Sequence, residues 1–312
     1  MLKTMVVIGT LLAMGFYFIS GTKKGIDEIV TIEHDGRIRQ SIVHLPPMIQ
    51  DDKLPVMLVF HGLFGNSNYT KNTYGMTEVG DREGFITVYP EGTGTLNSVL
   101  LSWNSGFCCG YAMENDVDDV SYIAELLGRL ESVYPVDEKR VYLIGLSNGG
   151  MLVYRLMSSY PDLFAACAIV SSSPAGGASE DSVVMIEPPD TAIPLIVFHG
   201  MKDPIIPFDG GFSSSSEANG IYFPSIEESV KLWAEKMGAV NMSEKSLENG
   251  LVLLREYTGE DERSLVHFYA ITDGDHTWPG REKGIDALSS SSQANIKASE
   301  LIWEFMKDKH LD

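Results

Sequence analysis

The run Val141-Tyr142-Leu143-Ile144-Gly145-Leu146-Ser147-Asn148-Gly149-Gly150-Met151 decides the fold. Its first four residues are apolar and predict a buried strand, and a helical pattern begins at Gly150. Between them lies the pattern Gly-x-Ser-x-Gly, in which a serine stands on a sharp strand-to-helix turn above a sheet. The neighbouring glycines allow strand and helix to approach each other closely. The stretch therefore predicts an α/β fold with Ser147 exposed as a nucleophile.

Apolar segments alternate with helical segments along most of the chain. Near-continuous apolar strands separated by helices are typical of a mostly parallel sheet covered on both faces. A β-hairpin on an Asp-Gly turn is expected before them, at about 28–45. Helices are predicted at about 118–132, 150–159, 225–236 and 294–308. Strands are predicted at Val56–Phe60, Phe85–Tyr89, Val141–Ile144, Ala166–Val170, Ile193–Phe198 and Val266–Ile271.

A serine hydroxyl becomes a good nucleophile when a base takes its proton and an acid orients that base. With this elbow, the order along the chain is serine, acid, histidine. His276 follows the predicted strand Val266–Ile271 by a short turn, in a loop at the carboxyl end of a strand. His267 lies within that strand and His310 on a terminal helix, where packing or solvent roles are expected. His276 is therefore the predicted base.

The predicted acid is Asp203, which comes just after the apolar strand Ile193–Phe198. An aspartate before a proline also starts turns, so Asp203 has a purely structural alternative role. Asp209, one loop further along the chain, is the second candidate for the acid.

Two backbone amides should stabilise the oxyanion that forms when a carbonyl is attacked. One is predicted to be the amide of Asn148, next to the nucleophile. The other should come from the loop after the strand Val56–Phe60, with Leu63 as the predicted donor. His61 in the same loop is expected to brace the backbone.

Charge and composition limit the classes of partner and cofactor that the protein is expected to bind. The chain has 312 residues, with 43 acidic against 23 Lys and Arg side chains and a formal net charge of −20. This charge repels nucleic acid and anionic membranes, so no nucleic-acid partner is expected. No metal or other cofactor is expected, because a zinc site would need more suitably spaced ligands. The aspartates Asp116, Asp118 and Asp119 are expected to cap a helix rather than bind a metal ion.

The N-terminus and the cysteines indicate the cellular compartment in which the protein works. Lys3 precedes an apolar stretch from Met5 to Ile19, so residues 1–21 are predicted to be a signal peptide or an uncleaved anchor. Residues 25–312 are then one catalytic domain outside the cytosol, and any membrane contact is through a retained anchor. Cys167 is expected to be buried, whereas Cys108 and Cys109 are either joined to each other or free.

Several motifs, taken in order, resemble one family. From about Val30 to Met306 the chain is similar to the polyhydroxybutyrate (PHB) depolymerase-like and feruloyl/acetylxylan esterase-like branch of the α/β-hydrolases. The resemblance implies a serine esterase with Ser147, Asp203 and His276 as its triad. It rests on His61-Gly62, Trp103-Asn104-Ser105-Gly106, Cys108-Cys109-Gly110, Val117-Asp118-Asp119-Val120, Gly145–Met151, His199-Gly200-Met201-Lys202-Asp203 and His276-Thr277-Trp278-Pro279-Gly280.

The resemblance leaves the substrate open. Leu63 stands where polyester-hydrolysing relatives often have a cysteine, and the linker and separate polymer-binding domain typical of extracellular polyester depolymerases are not expected in this sequence. Hydroxyalkanoate oligomers or short-chain esters are therefore expected rather than an insoluble granule. The alternative is a feruloyl or acetylxylan ester on plant polysaccharide. A serine peptidase and a non-catalytic binding protein are the further rivals. Trp103 and Trp278 are predicted either to contact the substrate or to pack the loops.

Overall fold

The computed structural model describes residues 24–47, 53–96, 99–215, 218, 220–281 and 292–312. One ten-stranded sheet dominates these residues. Its strands are β1 (Ile26–His34), β2 (Arg37–Leu45), β3 (Leu54–Phe60), β4 (Ile86–Pro90), β5 (Val136–Leu146), β6 (Ala166–Val170), β9 (Leu195–Gly200), β12 (Asn241–Leu247), β13 (Val252–Thr258) and β14 (Ser264–Ile271). Two short pairs lie apart from it: β7 (Ala175–Gly176) with β8 (Val184–Met185), and β10 (Gly211–Phe212) with β11 (Tyr222–Phe223).

The strand order is β1-β2-β4-β3-β5-β6-β9-β14-β13-β12. Neighbours from β4 to β14 run parallel, and both margins of the sheet are antiparallel. The carboxyl ends of the parallel strands therefore meet at one edge, where loops can bring distant residues together. The predicted α/β-hydrolase fold class, a mostly parallel sheet with helices, is confirmed.

Two hydrophobic clusters pack on the two faces of the sheet. Successive residues of β3 point to opposite faces, because side chains alternate along a strand. Leu58 therefore belongs to the first cluster and Met57 to the second. The helices are α1 (Ser67–Thr73), α2 (Met76–Glu83), α3 (Tyr111–Glu114), α4 (Asp119–Val133), α5 (Asn148–Ser159), α6 (Ile226–Lys236) and α7 (Ala298–Met306). Helices α4, α5 and α6 contribute to the first cluster, and α2 and α7 to the second.

The predicted elements agree with these bounds to within two residues at all but two of their ends. Strand β5 begins at Val136, five residues before the predicted Val141. Helix α7 begins at Ala298, four residues later than expected, and residues 294–297 before it are not helical. The predicted signal or anchor segment lies outside the described residues. Within the described ranges, none of the helices has the length and apolar character needed to span a bilayer.

Candidate active site

Ser147 stands on a strained turn between β5 and α5. Its φ of 54° and ψ of −123° lie in a region that side chains rarely adopt. The turn is tight: a Cβ atom at Gly145 would come within 2.4 Å of the carbonyl oxygen of Gly149. The backbone N–H of Ser147 donates to Val170 O at 2.9 Å, which fixes the turn to β6.

Asp203 and His276 meet at the carboxyl end of the sheet, although 73 positions separate them. His276 Nδ1 lies 2.7 Å from Asp203 Oδ2. The other carboxylate oxygen, Oδ1, accepts the backbone N–H groups of Ile205 and Ile206 at 2.8 and 2.9 Å. The carboxylate is therefore held in one orientation. Asp209, the second candidate, is exposed.

Opposing effects act on the pKa of Asp203. Burial raises it, but the charge and hydrogen bond of His276, with help from His199 and the Ile206 amide, bring the pKa of Asp203 below its usual value. The carboxylate is thus charged at neutral pH and can hold the Nδ1 proton of His276, which leaves Nε2 as a base.

A second histidine, His199, contacts the same carboxylate and was missed by the sequence analysis. It is fully buried at the end of β9, and its Nε2 lies 2.9 Å from Ile206 O and 3.3 Å from Asp203 Oδ2. Burial lowers the pKa of His199, so the ring is neutral and donates from Nε2. A histidine ending an apolar strand just before the acid was the signal available in the sequence.

Ser147 and His276 line one cavity of about 430 Å³. Gly62 lies against the serine, with room for a Cβ at 3.4 Å from Ser147 Cβ. Within the described chain, no hydrogen bond joins Ser147 Oγ to His276. Such bonds often form only when substrate is bound.

Backbone donors are placed around Ser147. The amide of Asn148 begins α5, and the amide of Leu63 lies in the loop next to the serine. In the part of the chain that the structure describes, neither amide has a hydrogen-bonded acceptor, whereas the Phe64 amide already donates to Leu101 O at 2.7 Å. Of these two loop amides, Leu63 can therefore serve an oxyanion.

Comparison with known proteins agrees with this geometry. Residues 40–187 match the family model described as Esterase PHB depolymerase. Over these residues, which are somewhat less than half of the chain, the protein is similar to the esterase PHB depolymerase family. The match places it among the carboxylic ester hydrolases.

The relatives of this esterase differ in the fraction of their own length that aligns with this chain. A protein named as an esterase, NocK from Nocardia uniformis subsp. tsuyamanensis, is 27% identical over 78% of this chain and 72% of its own length. Feruloyl esterase B from Piromyces equi is 26% identical over 64% of this chain, but the match spans about a third of that protein, 36%. Acetyl xylan esterase from Aspergillus awamori shares the fold, with a TM-score of 0.54, 15% identity and coverage of 80% of this chain and 94% of its own.

His61 braces the loop that carries Leu63 in this esterase. Its Nδ1 donates to Gly62 O at 2.8 Å, and its Nε2 accepts the backbone N–H of Gly92 at 3.0 Å. These partners require the neutral ring with its proton on Nδ1. Burial, helped by the positive charge of Arg39, lowers the pKa of His61 to about 4.

This buried histidine makes stability depend on pH. The unfolded chain binds a proton near pH 6.5 and the folded chain only near pH 4, so stability is complete above the first value and falls between the two. The loss is about 3 kcal/mol across that window. Urea unfolding at pH 7.0 and 5.0 should show a smaller loss in His61→Gln than in the wild type. Equal losses would contradict a neutral buried His61.

Trp103 takes the loop-packing role, one of the two alternatives predicted for this residue. It is completely buried beneath the site, and its indole Nε1 donates to His61 O at 3.0 Å. The Asn148 side chain clasps its backbone, accepting from Trp103 N at 2.7 Å and donating to Trp103 O at 3.0 Å. Trp278, by contrast, lines the cavity and stacks on Tyr74 with centroids 4.4 Å apart.

Asp118 and Asp119, at the start of α4, have different roles. Asp118 caps the helix and accepts the amide of Ser121, as predicted. Asp119 does more than complement the helix dipole, because it forms a fully buried ion pair with Arg39 at 2.7 Å and accepts the Asn104 amide. Among the described residues, no group of three or more His, Cys, Asp or Glu side chains is placed to hold a metal ion.

The cysteines take one of the two arrangements left open by the sequence. Cys108 and Cys109 form a disulfide, and both line the cavity of this esterase. Cys167 is free and buried, as predicted.

Proposed function

We propose that this esterase hydrolyses hydroxyalkanoate oligomers or short-chain esters through an acyl-enzyme on Ser147, with His276 as base and Asp203 orienting it. One observation carries the proposal. The 2.7 Å contact between Asp203 Oδ2 and His276 Nδ1 fixes the histidine in the same cavity as the serine on its elbow. Nucleophile, base and orienting acid are the three parts that acyl transfer to serine needs.

In the proposed mechanism, Ser147 Oγ attacks the ester carbonyl carbon while His276 Nε2 takes the hydroxyl proton. The amides of Leu63 and Asn148 donate to the oxyanion of the tetrahedral intermediate. His276 then gives the proton to the departing alcohol, and a water molecule repeats the sequence to release the acid.

The size and lining of the cavity support a small ester. A volume of about 430 Å³ lies in the lower part of the range for small-molecule sites. A second candidate is a feruloyl or acetylxylan ester, because Feruloyl esterase B is among the relatives and the Tyr74–Trp278 stack offers an aromatic face.

A hydrolysis panel tests the substrate. Purified protein is assayed with p-nitrophenyl esters of rising chain length, hydroxybutyrate oligomers, methyl ferulate, acetylated xylan and peptide amides, each beside Ser147→Ala. We expect the highest kcat/KM on hydroxybutyrate oligomers or short-chain esters. Preference for ferulate or acetylxylan would favour the second candidate, amide cleavage would indicate a peptidase, and no turnover would leave a binding protein.

We further propose that the protein acts outside the cytosol. The Cys108–Cys109 disulfide supports this location, because disulfides persist in oxidising compartments. Fractionation of cells that express the full chain tests it.

A further inference from the structure

The cavity has two chemically unlike walls, which come from opposite faces of the sheet. The apolar wall includes Cys108, Cys109, Met151, Ile205, Ile206 and Phe223, all packed in or against the first hydrophobic cluster. The aromatic wall is built mainly from Tyr69, Tyr74 and Trp278, which, like Leu146 beside them in the lining, belong to or pack against the second. Ser147 lies where the two walls meet, at the carboxyl end of β5.

The disulfide is held in place within the apolar wall. The carbonyl oxygen of Cys108 accepts hydrogen bonds from both the backbone N–H and the hydroxyl of Ser105. The same hydroxyl lies 3.8 Å from Met151 Sδ, so the loop rests on a neighbour in that wall. Gly110 closes the loop against Leu63, because a Cβ there would come within 3.2 Å of Leu63 Cδ1. The two sulfur atoms therefore belong to a fixed surface.

The side chains of the two walls suit different halves of an ester. The apolar wall presents only hydrocarbon and sulfur, which favour contact with an alkyl group. The aromatic wall carries polar atoms: the Tyr69 hydroxyl accepts from Arg281 Nη1 at 2.9 Å, and both residues line the cavity. A hydroxylated alcohol group suits this second wall.

We propose that the Cys108–Cys109 disulfide is the surface against which the alkyl part of the acyl group packs, and that it determines acyl-chain preference. The proposal rests on the proposed function, because it assumes an acyl group on Ser147. An acetyl group has too little hydrocarbon to gain much from the wall, whereas a butyryl group adds two methylenes.

The test compares p-nitrophenyl butyrate with p-nitrophenyl acetate in Cys108→Ala/Cys109→Ala. We expect the butyrate-to-acetate ratio of kcat/KM to fall about tenfold. This is the change in rate that corresponds to losing the free energy of burying two methylenes. Cys167→Ala, which removes a buried cysteine away from the cavity, is the matched control and should keep the wild-type ratio. Labelling of Ser147 by a small phosphonate at the wild-type rate shows that the site is intact.

A second measurement does not depend on folding of the double variant. Folded Cys167→Ala protein is reduced with a phosphine and alkylated with iodoacetamide, which places bulky amide groups on the apolar wall. We expect the same ratio to fall at least tenfold. An unchanged ratio in protein with both cysteines modified would overturn the proposal. Undiminished acetate turnover in Ser147→Ala would instead overturn the proposed function.

Discussion

Replacing Ser147 with alanine is expected to lower kcat for ester hydrolysis by roughly 10⁴- to 10⁶-fold. The reason is that the acyl-enzyme cannot form without Oγ, and the remaining amides and cavity bind the ester without providing a nucleophile. The fold should survive, because alanine keeps the Cβ atom and adds no strain to the left-handed turn at φ 54°. Stopped assays with p-nitrophenyl butyrate and thermal unfolding measure the two effects.

Ser173→Ala is the matched control. This buried serine follows β6 in the chain, and its hydroxyl donates only locally, to Ala175 O at 2.8 Å. Its variant should keep kcat within about twofold and react with a serine-directed phosphonate. Wild-type-like turnover in Ser147→Ala would refute the proposed nucleophile.

Replacing Asp203 with asparagine is expected to lower kcat by about 10⁴-fold. An amide NH₂ group facing His276 Nδ1 would require that nitrogen to accept, so the ring proton would move to Nε2. The histidine would then present a donor to Ser147, where the reaction needs an acceptor. The two amides on Oδ1 remain satisfied by the asparagine oxygen, so the loss should appear in kcat rather than in stability.

Asp209→Asn is the matched control for Asp203→Asn. Asp209 was the second candidate from the sequence and is exposed in the same loop region. We expect its variant to keep nearly full activity. A large loss there, together with an active Asp203→Asn enzyme, would show that the wrong acid had been chosen.

Local sequence was sufficient to predict the elbow and the acid–histidine pair. Gly145 is required by contacts with Gly149 and Gly150 a few residues on, whereas a Cβ at Gly149 would come within 2.5 Å of His61 O. The pattern around Ser147 was readable because its glycine spacing recurs in such turns, although one of the two glycines meets a tertiary contact. Asp203 and His276 both follow apolar strands, and parallel strands bring their carboxyl ends to one edge. Their meeting was therefore predictable from strand positions.

Other parts of the site depend on contacts that the sequence does not reveal. Arg39 and Asp119 are 80 residues apart and pair only because β2 and the start of α4 converge in the folded chain. Trp103 had two predicted roles, substrate contact or loop packing, and only the tertiary structure shows that it is completely buried. His199 entered the sequence analysis only as part of a family motif, and its contact with the acid appears only when β9 and its following turn are folded.

The two hydrogen bonds between the Asn148 side chain and the Trp103 backbone couple reactivity at the proposed oxyanion site to the position of the loop that carries the disulfide. Asn148 offers its amide N–H toward the proposed oxyanion, while its side chain holds the stretch of chain that leads within a few residues to Cys108. A library that randomises position 148 to tune reactivity would also release the loop beneath the cavity. Reactivity and chain-length preference should therefore drift together during directed evolution unless position 148 is kept as asparagine.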